Sequence, residues 1–189
     1  MLTFTLDHNC LIALAKQEST APAVRTLADA DKAGNARVAV VAVSASERQG
    51  NKSYIQDFSS FQDWLAELDL RHLEILRPII YLGISFFDWS IFPNDEMTNL
   101  EKNIQNVLFP TLEFSWEDYC RAHGWNSNTV IDHRWRNRKC DVQSLWCHIH
   151  YLRDVFVTTD HNFLKTKKRS LVVLGAGQIS TPKEAAALL

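Results

Sequence analysis

The sequence has no C-x-x-C pair, and its four cysteines, Cys10, Cys120, Cys140 and Cys147, follow no disulfide-framework spacing. They read as reduced thiols of a cytosol, not as staples of a small secreted scaffold. A zinc site would need Cys140, Cys147, His148 and His150 to converge. On one helix, their offsets scatter the side chains around the axis instead of closing a tetrahedron.

Long hydrophobic runs are also missing. The longest apolar stretches, 38–43 and 79–87, fall far short of the about 20 residues a membrane helix needs. Met1-Leu2-Thr3-Phe4 opens no basic region followed by an apolar run and a small-residue cleavage site, so the expected location is cytoplasmic, with no membrane partner. Glycine and proline are scarce, at 6 and 5 of 189 residues, which excludes collagen-like and low-complexity chains. With 46% hydrophobic and 22% charged residues, disorder is excluded as well. The length suits a single domain over 1–189.

The small net charge of −2 conceals segregation: residues 1–56, 57–118 and 119–189 carry +1, −9 and +6. The positive end holds two clusters, Arg134, Arg136, Arg138 and Lys139, then Lys165, Lys167, Lys168 and Arg169. Such clusters either track a phosphate backbone or are solvated faces.

Residues 2–6 alternate and end at Asp7, predicting a strand that delivers an acid to its carboxyl end, with a helix from about Asn9. A second helix is expected over 21–33, closed by Gly34-Asn35. The β-branched run 37–43 reads as a strand buried on both faces. Ser44-Ala45-Ser46-Glu47 has capping-box spacing, so a helix is expected there. Helices are also expected over 53–69, 95–108, 115–123 and about 129–154, strands over 155–159 and 171–174, and a last helix from the Thr181-Pro182-Lys183-Glu184 capping box. Residues 73–92 resist assignment. Strands separated by helices predict an α/β fold, a three-layer α/β/α sandwich with a mostly parallel central sheet. Sites in such sheets lie beyond the strands' carboxyl ends, which selects Asp7 and Asp160. Clustered carboxylates there repel one another and call for a hard divalent cation.

The segment Leu6-Asp7-His8-Asn9-Cys10-Leu11-Ile12 resembles the opening of PIN-domain ribonucleases, with a strand-terminal Asp, Asn two residues later, then aliphatics. Val157-Thr158-Thr159-Asp160-His161-Asn162-Phe163 resembles their late strand. Cys140-Asp141-Val142-Gln143-Ser144-Leu145 looks like the helix that supplies a third acid, and Ser44-Ala45-Ser46-Glu47 like the start that supplies a fourth. The resemblance covers roughly 1–50 and 135–189. It leaves a largely helical, aromatic insertion at about 51–130, whose net negative charge disfavours it as an RNA face. Asn162 stands where many members place a second acid, which weakens the case for a second metal.

The resemblance implies a Mg²⁺- or Mn²⁺-dependent endoribonuclease in which Asp7, Glu47, Asp141 and Asp160 hold the cation and Asn9 fixes Asp7 or a ligand water. Arg134, Arg136, Arg138, Lys139, Lys165, Lys167 and Lys168 are then candidates for binding the RNA substrate. It also implies a toxin-type nuclease with a cognate antitoxin-like inhibitor, and homodimerisation is a further expectation. A binding module that has lost turnover and a structure-specific DNase remain open. So do ordinary structural roles: Asn9 as a helix cap, Glu47 as a capping-box residue, Asp132 in place of Asp141, and His8 and His161 as loop histidines.

Overall fold

Asp7, Asp57, Asn94, Ser115, Asp132 and Thr181 each end a loop by accepting a backbone N–H from the first turn of a helix. These caps set most of the α-helix starts. The computed structural model describes residues 1–46, 55 and 57–189. The elements are β1 (Thr3–Leu6), α1 (His8–Lys16), α2 (Ala21–Lys32), β2 (Arg37–Val41), α3 (Phe58–Glu67), β3 (Glu74–Leu76), α4 (Asp95–Leu108), α5 (Trp116–His123), α6 (His133–His150), β4 (Val155–Val157), α7 (Lys168–Leu171), β5 (Gln178–Ser180) and α8 (Pro182–Ala186).

The strands form one five-stranded sheet in the order β3-β2-β1-β4-β5, and every neighbouring pair is parallel. Each strand sends alternate side chains to opposite faces. Phe4, Leu6, Val38, Val40, Val155 and Val157 enter one core with Leu11, Leu27, Phe61, Leu65 and Ala185, so α1, α2, α3 and α8 cover that face. Ala39, Val41, Phe156 and Ile179 enter the other with Ile104, Trp116, Leu145, Trp146 and Leu171, from α4 to α7. The result is the expected α/β/α sandwich, and the double burial explains why β2 is apolar without alternation. Among the described residues no helix is long and apolar enough to cross a membrane.

The sheet starts at β1 and grows outward to β2 and β3, then the chain returns to lay β4 and β5 on the other side of β1. The order therefore reverses between β1 and β4, and a crevice beyond the carboxyl ends belongs there. Three observations refine the sequence reading of the fold. The segment 51–130 supplies β3, an edge strand of the main sheet, as well as helices. Residues 171–174 are helical, not a strand: α7 runs into a π turn over Val172–Ala176, and Val173 is exposed. A short apolar run fits either state, and here β5 begins only after Gly177, where an added Cβ would lie 2.7 Å from the Asp154 carbonyl oxygen. After β2 the chain enters a 3₁₀ turn over Ala42–Ser46, and Glu47 lies outside the described residues.

Candidate active site

Asp7 ends β1 and caps α1, so its backbone is fixed on both sides. Its N–H donates to the Val157 carbonyl at 3.0 Å, which ties the carboxyl end of β1 to that of β4. Its Oδ1 accepts the His8 N–H at 2.8 Å, while Oδ2 accepts the Thr158 hydroxyl and Asn9 Nδ2, both at 2.7 Å. Asn9 sits in the first turn of α1, and Asp7, not Asn9, is the cap. The Asn9 amide spans the strands: Nδ2 also reaches Thr158 Oγ1 at 3.0 Å, and Oδ1 accepts the Thr159 N–H at 3.1 Å.

Asp160 follows β4. Its N–H donates to Thr158 Oγ1 at 3.0 Å and its Oδ1 accepts the Asn162 N–H at 2.7 Å, an Asx turn that turns the chain into the next helical segment. Asn162 thus orients Asp160 through its backbone. Thr158 is the hub that sequence reasoning left without a role. It is fully buried, donates to one acid and accepts from the backbone of another. The signal was present in a Thr-Thr-Asp run whose first hydroxyl lies at a strand end.

Asp141 approaches from α6. Asp132, the alternative, is used up as the α6 cap, accepting the Arg134 and Trp135 N–H groups at 2.9 and 3.1 Å. Burial raises Asp141 well above the usual carboxylate range, Asp7 and Asp160 push it further, and Arg138 pulls it back. Asp7 is raised from its ordinary 3.8 to about 6, mainly by burial, with Asp160 adding to the rise and the Thr158, His8 and Asn9 hydrogen bonds opposing it. Asp7 therefore feels the charge of Asp160, and Asp141 the charge of both, where β1 and β4 end.

No family model matches the chain, and no curated protein matches it. One likeness is to a solved structure. The crystal structure of VapBC2 from Rickettsia felis bound to a DNA fragment from their promoter aligns at 16% identity and a TM-score of 0.45, covering 95% of this chain and 98% of that one.

Among the described residues, no three His, Cys, Asp or Glu side chains close around one point as a preformed metal cage. The donor chemistry nonetheless fits Mg²⁺ or Mn²⁺. It is all oxygen and anionic, and Mg²⁺ keeps several waters and takes only one or two carboxylates directly. Asp7, Asp141 and Asp160 are the described residues that would hold it.

The basic candidates separate. Arg134, Arg138 and Asp141 share one face of α6 at i, i+4 and i+7, with both arginines exposed. Arg138 also lies over the Phe109 ring at 5.5 Å. Arg136 is offset from that face by about half a turn and is half-buried. Lys139 is not on the surface at all and is removed from the RNA-facing set. It is 0% exposed, pairs with Glu101 at 2.7 Å, donates to the Phe114 carbonyl at 3.2 Å and stands 3.9 Å from the Phe114 ring centroid. Lys165 is exposed, and Lys167 and Lys168 are half-buried. Of the histidines, His161 is exposed, whereas His8 is buried beside Trp64 and its pKa falls to about 4, so it is neutral.

Proposed function

We propose that this chain is a Mg²⁺- or Mn²⁺-dependent endoribonuclease of the PIN type. The observation that carries the reading is that Asp7 feels the charge of Asp160, and Asp141 the charge of both, at the point where the strand order reverses. Placing carboxylates within the field of a buried one is costly, and a divalent cation offsets that cost. Glu47, outside the described residues, belongs to the same proposal as a fourth acid.

When bound, the ion would lower the pKa of a water and offset charge developing on a phosphodiester. The chain's own residues do the positioning. Thr158 and Asn9 hold Asp7 Oδ2 from two sides, leaving the carboxylate one orientation. The Asn162 N–H holds Asp160 Oδ1. Arg134 and Arg138 line the approach along α6 and would take phosphates flanking the cut. An antitoxin-like partner that blocks this edge is part of the same reading.

The test is cleavage of a mixed single-stranded RNA by wild type and Asp7→Asn, each with Mg²⁺, Mn²⁺ or EDTA. Metal-dependent cutting that disappears in the variant is expected. A folded wild type that cuts only DNA, or nothing while failing to bind Mn²⁺, overturns the reading.

A further inference from the structure

Beside the acids lies a second concavity that the hydrolytic chemistry does not use. Its volume is about 390 Å³, and Thr20, Thr159, His161, Lys165, Lys168 and Thr181 line it. That is within the usual range for a small-ligand site. It is contiguous with the acidic cluster, because Thr159 forms part of its wall while the Thr159 N–H is bound to Asn9 Oδ1.

The lining has the chemistry of a phosphate receptor. Among the described residues neither Lys165 nor Lys168 lies within ion-pair distance of a carboxylate. Thr20 and His161 each precede a helical segment without giving it a side-chain cap bond, so neither side chain is committed to capping. Glu184, the one acid among the described residues of the wall, is occupied. Its Oε2 accepts the Thr181 N–H and hydroxyl, both at 2.8 Å, and those bonds, with a smaller contribution from the Lys168 charge, hold its carboxyl below the usual range. Leu164 adds an apolar patch against which a base or sugar can rest.

Position strengthens the argument. Thr20 and Thr181 belong to the layer of α2 and α8, on the face of the sheet opposite α6. A strand laid over Asp7 and Asp160 along the carboxyl edge would meet Arg134 and Arg138 at one end and Lys165 and Lys168 at the other. Acids in the middle repel a phosphodiester, and cations on both sides offset that repulsion. We propose that this pocket seats one nucleotide of the bound RNA strand, its phosphate against Lys165 and Lys168, next to the bond to be cut. The proposal rests on the ribonuclease reading and specifies how the substrate lies across the same site.

The experiment uses binding, in EDTA, so that it does not depend on turnover. A labelled single-stranded RNA is titrated against the full chain at several salt concentrations, with Lys165→Ala/Lys168→Ala, each single variant and, as a control that removes one surface charge elsewhere, Lys183→Ala on the exposed side of α8. The double variant is expected to bind at least tenfold more weakly, its salt slope reduced by about 0.7 for each phosphate left without its cation. The control should stay within twofold of wild type. In parallel, a nucleoside 5′-monophosphate and inorganic phosphate are added while the Thr159 and Thr181 amide resonances are followed. Shifts that vanish in the double variant support the pocket.

Unchanged RNA affinity in the double variant overturns the proposal, even where the free nucleotide binds, because the pocket is then not a strand subsite. The two readings fail separately. RNA that binds through the lysines but is never cut removes the nuclease and leaves the subsite. RNA that is cut normally by the double variant with unchanged affinity removes the subsite alone.

Discussion

The Thr158 hydroxyl donates to Asp7 Oδ2 at 2.7 Å across the junction of β1 and β4, and it is itself fully buried. One hydrogen bond thus joins the two strands whose carboxyl ends form the candidate site. Removing only the oxygen, as in Thr158→Val, keeps the β-branched shape but leaves Asp7 Oδ2 held by Asn9 alone and the Asp160 N–H without its partner. A loss of about 1–3 kcal/mol in stability is expected. Losing a donor to the ionised form also pushes the Asp7 pKa above its wild-type value of about 6. Thr158→Ser should restore both. Carboxyl-carbon NMR titration of Asp7 in the three proteins checks this, and an unmoved Asp7 midpoint in the valine variant contradicts it.

Asp7 itself gives a pH prediction with a definite sign. Its folded pKa of about 6 lies above its ordinary 3.8, so the native state binds the proton more tightly than the unfolded chain. The resulting stability is full below the unfolded value and is lost as pH rises through about 6. At pH 7 the ionised, metal-free site costs about 3 kcal/mol. Asp7→Asn should therefore melt higher than wild type at pH 7 and lose that advantage near pH 4. Parallel melting curves for the two proteins across this range would refute the argument. Mn²⁺ should raise the wild-type Tm and leave the variant's unchanged, since only a native-state site gains from the ligand.

Lys139 and Glu101 form a buried pair that also accepts Gln143 Nε2 at 2.6 Å, while Gln143 Oε1 takes the Ile79 N–H at 3.0 Å. This chain of polar bonds fastens α4 and the segment after β3 onto α6, the helix that carries Asp141. Lys139→Ala leaves Glu101 buried without its cation, and a loss of about 3–5 kcal/mol is expected. Lys139→Met with Glu101→Leu should recover most of it, because the apolar pair needs no partner. Chemical denaturation of the three proteins decides the matter, and a double variant no better than the single one would show that the pair is not the cause.

What the sequence made legible follows from how local the signal was. The last helix carries its own start in Thr181 and Glu184, and α4 begins just after the Asn94 cap. Asp7 and Asp160 were found because strand ends are local too. Lys139 was misread because its fate depends on Glu101, on another helix and far away in sequence. With neighbours Arg134 and Arg138 both exposed, nothing nearby announced that it turns inward. The strand expected at 171–174 failed for a related reason. A run of four apolar residues has no period, and the two glycines that follow, at φ 104° and 57°, place the turn to β5 beyond it. Thr158 escaped because a threonine in a strand is ordinary until the acid it serves, on another strand, is brought beside it.

The α6 stripe offers the sharpest separation between charge in general and charge in the right place. Arg134 and Arg138 share the α6 face of Asp141, and Arg138 lowers the Asp141 carboxyl that Asp7 and Asp160 raise. Arg136 has the same charge but is offset from them by about half a turn of the helix and is half-buried. Arg134→Ala with Arg138→Ala should therefore weaken single-stranded RNA binding and reduce its salt slope by about 0.7 for each phosphate no longer neutralised. Removing Arg138 also takes away the cation that favours the ionised Asp141, so that carboxyl should protonate at a still higher pH. Arg136→Ala changes the net charge by one and should leave both the slope and the Asp141 titration near wild type. Salt-dependent anisotropy and NMR titration read the two quantities independently. Equal effects from Arg136 and Arg138 would mean that RNA senses only the overall field of the positive end, and that the stripe does not guide the strand to the acids.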